Sequence, residues 1–287
     1  MFDQRANDGT PRLVLEKDYA LSYVLAGIAA VPRLYELALF KGGTSLRKAY
    51  FPEYRFSEDL DYTLQSQLSC DELLELLTEA SQRAADLLQE RGDFSVQVRS
   101  VRHREDHEHG QCEFKLDVRF PWMRQASCAV QVEILPAPPE VIAGTPQVRH
   151  VLHGFPETLV AKVRCYSLEE IASEKLRGLL QTRKRFDELE AGARTFALSR
   201  PRDLFDLAHL QAQTTFVLDR PTVRAFLTKK AVPYGVTFSG PDDFLDRRVL
   251  EHMSANWNAS LRDFVPQLPP FLQCLESHKT LLGQIFS

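Results

Sequence analysis

The chain has 287 residues, a formal net charge of −4, a pI near 6.1, 44% hydrophobic and 26% charged residues. These values describe a globular protein with room for one large domain or two modest ones, and they exclude a globally cationic nucleic-acid binder. Any RNA or DNA contact must come from local basic groups. The candidates are Arg99, Arg102 and Arg104, and then Arg177, Arg183, Lys184 and Arg185. No stretch has the apolar length of a signal core or a membrane span, so a cytoplasmic protein with no membrane partner is expected. The five cysteines, at positions 70, 112, 128, 165 and 274, are odd in number and form no Cys-x-x-Cys pair. That argues against a zinc ribbon or a disulfide framework and fits a reducing compartment.

In chain order, residues 18–30 read as a helix, and 37–40 (LALF) as a short buried strand running into Lys41-Gly42-Gly43. A helix capped by Thr44 or Ser45 follows to Tyr50 and stops before Pro52. Residues 58–64 (EDLDYTL) alternate as a half-buried strand, and 70–92 form an amphipathic helix with Gly92 at its end. Strand-like runs cover 94–101, 112–120 and 128–135, and a proline-rich loop covers 136–146. Beyond Ser167 the pattern is helical: 168–183, 201–213, 220–230, 241–263 and 269–285. A mixed α/β domain over 1–160 and a helical domain over 161–287 are expected.

The chemistry concentrates in 41–63. Asp59 and Asp61 share one face of their strand, where two carboxylates repel unless a cation lies between them. Mg²⁺ suits that oxygen site. Gly42 and Gly43 permit a tight turn and close approach of backbone N–H groups to a ligand. The helix start beyond them offers donors to phosphate, Thr44 and Ser45 add hydroxyls, and Lys41 adds charge. A third carboxylate can come from Glu133 in VQVEIL, with Asp117 in KLDVRF as its competitor. Either element alone also fits an ordinary turn or a wetted strand face.

Two later helices carry further signals. At 100° per residue Leu168, Ile171, Ala172, Leu176 and Leu179 form an apolar stripe, with Lys175 in its middle and Arg183 on the same side. Buried cations need partners or an anion, unless the long side chains reach past the core to water. Pro201 opens the next helix, where Asp203 tilts toward the packed side and Asp206 borders it within reach of Arg202. An acid in a first turn also answers the helix dipole. His103, His107 and His109 resemble a metal tract, but their polar surroundings read as an exposed loop without a matching ligand set. Trp122 and Trp257 read as packing residues.

Taken together, KGGTSL (41–46), RFSEDLD (55–61), LEEIASEKLRGLLQTR (168–183) and RDLFD (202–206) make the chain resemble the AbiEii/MenT family of nucleotidyltransferase-like toxins over about residues 15–215. The resemblance implies an α+β, polymerase-β-like nucleotidyltransferase core with a helical C-terminal domain that adds Lys, Arg and Asp to the cleft. It also implies toxin–antitoxin or phage-defence biology with an antitoxin encoded nearby. By the same resemblance Asp59 and Asp61 are the metal-binding acids, Ser57 is the serine before them, Lys175 is the essential helix lysine and Arg183 the arginine after it. Asp203 and Asp206 fall in the last acidic motif, with either as the essential one. Glu133 stands where family members often carry Asp.

The expected activity is transfer of NMP from an NTP to the 3′ end of RNA, tRNA foremost, inhibiting translation. In this reading two Mg²⁺ ions lie on Asp59, Asp61 and Glu133, and Lys41, Gly42–Ser45, Ser57, Lys175 and Arg183 bind the NTP. The rivals are a protein nucleotidyltransferase or kinase acting on the antitoxin or on itself, and a nucleotide-binding regulator without turnover.

Overall fold

A computed structural model describes residues 10–104, 110–124, 127–135, 141–192 and 200–287. The chain divides into two compact units, Met1–Tyr166 and Ser167–Ser287.

The first unit is built on a seven-stranded mixed sheet in the order β3-β4-β5-β2-β1-β7-β6. The strands are β1 (Ala38–Lys41), β2 (Asp59–Leu64), β3 (Ser95–Arg104), β4 (Gln111–Arg119), β5 (Cys128–Leu135), β6 (Gln147–His150) and β7 (Lys162–Cys165). Two pairs are parallel, β2 with β5 and β1 with β7, and the rest are antiparallel. Helices α1 (Arg12–Ala30) and α4 (Cys70–Leu88) pack together against the sheet, with the short α2 (Pro32–Leu37) and α3 (Gly42–Ser45) flanking β1. α4 starts where it does because Ser69 and Glu72 form a reciprocal cap. Ser69 Oγ accepts the Glu72 N–H at 3.2 Å, and the Glu72 carboxylate accepts the Ser69 N–H at 2.9 Å. Its Leu73, Leu77, Ala80, Ala84 and Leu88 recur at helical spacing and are buried. Gly27 lets α1 approach closely, since a Cβ there would lie 2.8 Å from that of Ala84.

Several elements depart from the sequence reading. The helix after Lys41 begins at Gly42, not at a Thr44 or Ser45 cap, and continues as a π-helical turn over Leu46–Tyr50. β6 and β7 lie in a stretch where no strand was expected. They are four residues long, too short to declare a period of two, and β7 is recruited by parallel pairing of Cys165 with Phe40. Cys70 and Cys112 form a disulfide across 42 residues, against the expectation of unpaired cysteines. Their separation in sequence hides that the first residue of α4 meets the second residue of β4. His103 belongs to β3, not to a loop, while His107 and His109 lie outside the described residues. Trp122 is 46% exposed and donates to Glu16 at 3.1 Å, so it is no core residue, whereas Trp257 is buried.

The second unit is helical: α5 (Leu168–Glu190), α6 (Pro201–Ala212), α7 (Arg220–Ala231), α8 (Arg247–Ala255), α9 (Trp257–Leu261) and α10 (Phe271–Phe286). α5 packs on α6 and α7, and α10 packs on α6. The single helix expected over 241–263 is divided. A 3₁₀ turn at Pro241–Phe244 precedes α8, whose start is set by Asp246 accepting the N–H groups of Arg248 and Val249 at 2.9 and 3.3 Å.

Candidate active site

The strand register decides which acids meet. Lys41 of β1 pairs with Asp61 of β2, Asp61 with Glu133 of β5, and Glu133 with Glu113 of β4. Register partners on neighbouring strands point to the same face, roughly 5 Å apart. Asp59, two residues back on β2, shares that face. Leu60 and Tyr62 alternate to the other side and are buried. Asp117 pairs instead with Ala129, four residues or about 13 Å along the strand from Glu133's partner, and meets Arg99 at 3.3 Å. The register therefore puts Glu133, not Asp117, beside Asp61. Two neutral amides hold Glu133: Gln111 Nε2 and Gln131 Nε2 donate to its two oxygens, each at 2.6 Å. They orient the carboxylate without neutralising it.

The glycine turn abuts the same acids. Gly42 has φ of +76°, and a Cβ on it would collide with the Asp61 carboxylate. Thr44 Oγ1 donates to the Asp59 carbonyl, and Ser45 Oγ donates to the Gly42 carbonyl at 2.8 Å. Both side chains are buried, so their hydroxyls brace the turn from within. Ser57 is half-buried in the segment leading to β2. The cations of the following π-helical turn face inward: Arg47 Nε and Lys48 Nζ each lie 2.8 Å from the Asp18 carboxylate on α1. Burial would raise the Asp18 carboxyl, but Lys48 and Arg47 hold it below the ordinary carboxylate range.

In the second unit Lys175 Nζ lies 3.0 Å from Asp203 and 2.5 Å from Asp206. Asp206 is fully buried and takes Lys175 as its ion-pair partner, while Arg202 donates to the Ser260 carbonyl at 3.2 Å and lies over the Phe264 ring. Arg200 meets Asp203 at 3.0 Å from the other side. Burial pushes the Asp203 carboxyl up, but Lys175 and Arg200 outweigh it and keep the group anionic to lower pH. Gly178, one turn beyond Lys175, makes room for this pair, because a Cβ would stand 3.0 Å from Arg200 and 3.2 Å from Asp203. A cavity of about 370 Å³ opens there, lined by Arg200, Pro201, Arg202, Asp203 and Ser260. Arg183 binds the Asp243 side chain and, at 3.3 Å, the Thr237 carbonyl, the geometry of a loop anchor. Arg177 is buried, stacked 3.7 Å from the Tyr234 ring and bonded to Glu174 and Gln181. It is thus removed from the surface where an RNA-guiding residue was expected.

A model of the nucleotidyl transferase AbiEii toxin of type IV toxin–antitoxin systems matches residues 23–281. The chain belongs to the AbiEii nucleotidyltransferase toxin family. Its fold is similar to that of MenT4, a nucleotidyltransferase toxin from Mycobacterium tuberculosis H37Rv, with a TM-score of 0.62 and 18% identity over 96% of this chain and 84% of that one. No match is found among curated proteins. As an AbiEii member the chain is a nucleotidyltransferase; the family suggests an NTP substrate and divalent metal use, and a type IV toxin–antitoxin family implies an antitoxin partner. Among the described residues no helix is long and apolar enough to cross a membrane.

Sequence reasoning missed the residues that hold the acids. Gln111 and Gln131 have no motif around them. Asp18 carried a faint signal, a charge at the start of the apolar run of residues 18–30, and so did Arg200, three residues before Asp203.

Proposed function

We propose that this AbiEii protein transfers NMP from an NTP to the 3′ end of an RNA acceptor, tRNA foremost, with Mg²⁺ as its metal. The observation that carries the reading is the row Lys41–Asp61–Glu133 with Asp59 on the same face, pressed against the Gly42 turn. Three carboxylates on one sheet face, one of them oriented by neutral amides, fit a hard divalent cation better than a monovalent one. Bound there, two Mg²⁺ ions would supply Lewis-acid activation of the acceptor hydroxyl and charge stabilisation at the α-phosphorus.

The protein's own groups divide the remaining work. Asp59, Asp61 and Glu133 hold the metal. Lys41 and the backbone N–H groups of Gly42–Ser45 receive the outer phosphates, with Ser57 at the entry to β2. Thr44 and Ser45 keep the turn rigid through their carbonyl bonds. Arg183 serves as a loop anchor, and Lys175 with Asp203 and Asp206 forms an ion triad whose part in transfer is tested separately below. In the cell such transfer would block aminoacylation and thus translation, until the antitoxin intervenes.

The test incubates the purified protein with each labelled NTP, Mg²⁺ and total RNA. Label on RNA, lost in Asp59→Ala, is the expected result. Label on protein would replace RNA with a protein acceptor. No label with any nucleotide, from wild type and Asp59→Ala alike, would sink the reading.

A further inference from the structure

The cluster of Cys70, His103 and Cys112 lies outside the acid row. Cys112 and His103 are register partners on β4 and β3. The next pair in the register, Arg102 with Glu113, falls in the acid row on the opposite face of the sheet. Cys70 comes from the first residue of α4, 5.8 Å from Cys112 between Cα atoms. One donor atom from each of the three residues lies within 4.8 Å of the others. Cys112 is buried, Cys70 half-buried and His103 exposed. The partial positive charge at the start of a 19-residue helix favours an anionic ligand at Cys70.

We propose that in the reduced protein these three side chains bind one Zn²⁺ as a Cys₂His site, with the exposed fourth position taken by water, and that the disulfide is its oxidised, metal-free form. Two thiolates and an imidazole are the ligand set that tetrahedral Zn²⁺ prefers, and hard cations of the Mg²⁺ class are disfavoured by it. Thiolates on one tetrahedral ion stand about 3.8 Å apart, given Zn–S of about 2.3 Å. Side-chain rotation from the bridged state reaches that spacing at an ordinary Cα separation. Interconversion balances with a disulfide-class oxidant. The two cysteine thiolates lose two electrons and form their S–S bond, and Zn²⁺ departs from His103. The oxidant's S–S bond breaks, takes the two electrons and two protons from solvent, and leaves as two thiols.

Both forms clip the start of α4 to the β3–β4 hairpin. Gln111, which orients Glu133, directly precedes Cys112, so the clip also fixes the strand end on which that amide sits.

The experiment titrates Co²⁺ as the probe into the full-length chain after reduction by a phosphine and removal of excess reductant. A thiolate-to-cobalt charge-transfer band together with intense tetrahedral d–d bands, saturating at one ion per chain, is expected. Cys112→Ser should abolish the band, and His103→Ala should weaken Co²⁺ affinity by roughly tenfold or more. Asp59→Ala should leave the band untouched, which separates this site from the carboxylates and makes the outcome independent of the transferase reading. Zn²⁺ should displace the band stoichiometrically, and the oxidised protein should show none. Absence of a thiolate band in reduced protein overturns the proposal. So does a band that survives in Cys112→Ser, which would place the ligands among Cys128, Cys165 and Cys274.

Discussion

The two units each gather acids around a lysine, but the acids are answered in different ways. In the second unit Lys175 touches both Asp203 and Asp206, Arg200 closes the far side, and Asp206 has no exposure to solvent. Charge there is balanced within the fold. In the first unit the register assembles Asp59, Asp61 and Glu133 on one half-exposed face; Glu113, next in the row, pairs with Arg104 at 3.0 Å, while Glu133 accepts from two neutral amides. Like charges brought together on strands this rigid favour an added cation. The lesson is that a motif acid is read by what answers it: an internal lysine makes it a stabilising group first, while a gathering of carboxylates makes it a ligand.

Substitutions can break that comparison. Asp59→Ala or Asp61→Ala should lower nucleotide transfer by the order of 10³-fold, since a bound metal supplies several kcal/mol of transition-state stabilisation. The same variants should melt within a few degrees of wild type, as removing a like charge from a crowded face relieves repulsion. Lys175→Met should do the reverse. It takes the shared cation from the buried Asp206 and leaves the half-buried Asp203 with Arg200, so a loss of roughly 3 kcal/mol in urea unfolding is expected. Replacing Asp203 by Asn and Asp206 by Leu in the same chain should recover much of that loss. If the triple variant folds stably but transfers no nucleotide, the Lys175–Asp203–Asp206 triad takes part in transfer beyond its structural role. If it transfers normally, the triad is structural only.

The acid pair, the glycine turn and the lysine within an apolar stripe were legible because each obeys a local period. Asp59 and Asp61 repeat at two, and Lys175 falls on the 3.6-residue face of Leu168, Ile171 and Leu179. The choice between Glu133 and Asp117 was not legible, because both sit in alternating strands and only register separates them. Pairing is set by contacts far apart in sequence, as between β2 and β5. For the same reason Cys70 and Cys112 looked unrelated, and the buried Lys230 between Glu170 and Glu174, at 2.9 and 3.0 Å, passed unnoticed. Arg177 and Arg183 were legible as cations but not as anchors, since Tyr234 and Asp243 reach them from later segments.

Acid should unsettle the helical unit before ordinary carboxylates titrate. Burial pushes His278 from 6.5 down to about 4. The unfolded chain then binds the proton first, so stability is full above about pH 6.5 and declines as pH falls toward 4. The integrated loss from this one group is roughly 3 kcal/mol. Urea unfolding of wild type and His278→Leu between pH 7 and pH 4.5 measures it, and the variant should lose most of that slope. Equal slopes in both would assign the acid sensitivity to other groups.

The smallest change tests the junction of turn and acid. Gly42→Ala puts a side chain at φ of +76°, where an L-residue is disfavoured by about 1–2 kcal/mol, and aims its Cβ at the Asp61 carboxylate. Gly43→Ala is the matched control. Its φ is not positive, and the nearest atoms to its Cβ would be those of the Arg55 guanidinium, a buried group bonded to the Phe56 carbonyl at 3.1 Å that would have to shift. Gly42→Ala should therefore lose activity out of proportion to its modest loss of stability, because the residue it displaces is the proposed metal ligand Asp61. Gly43→Ala should lose less of both. If both variants lose activity in proportion to stability, the Gly42–Asp61 contact matters only to folding. If Gly43→Ala is the more inactive, the position of Arg55 governs the site more than the φ of Gly42 does.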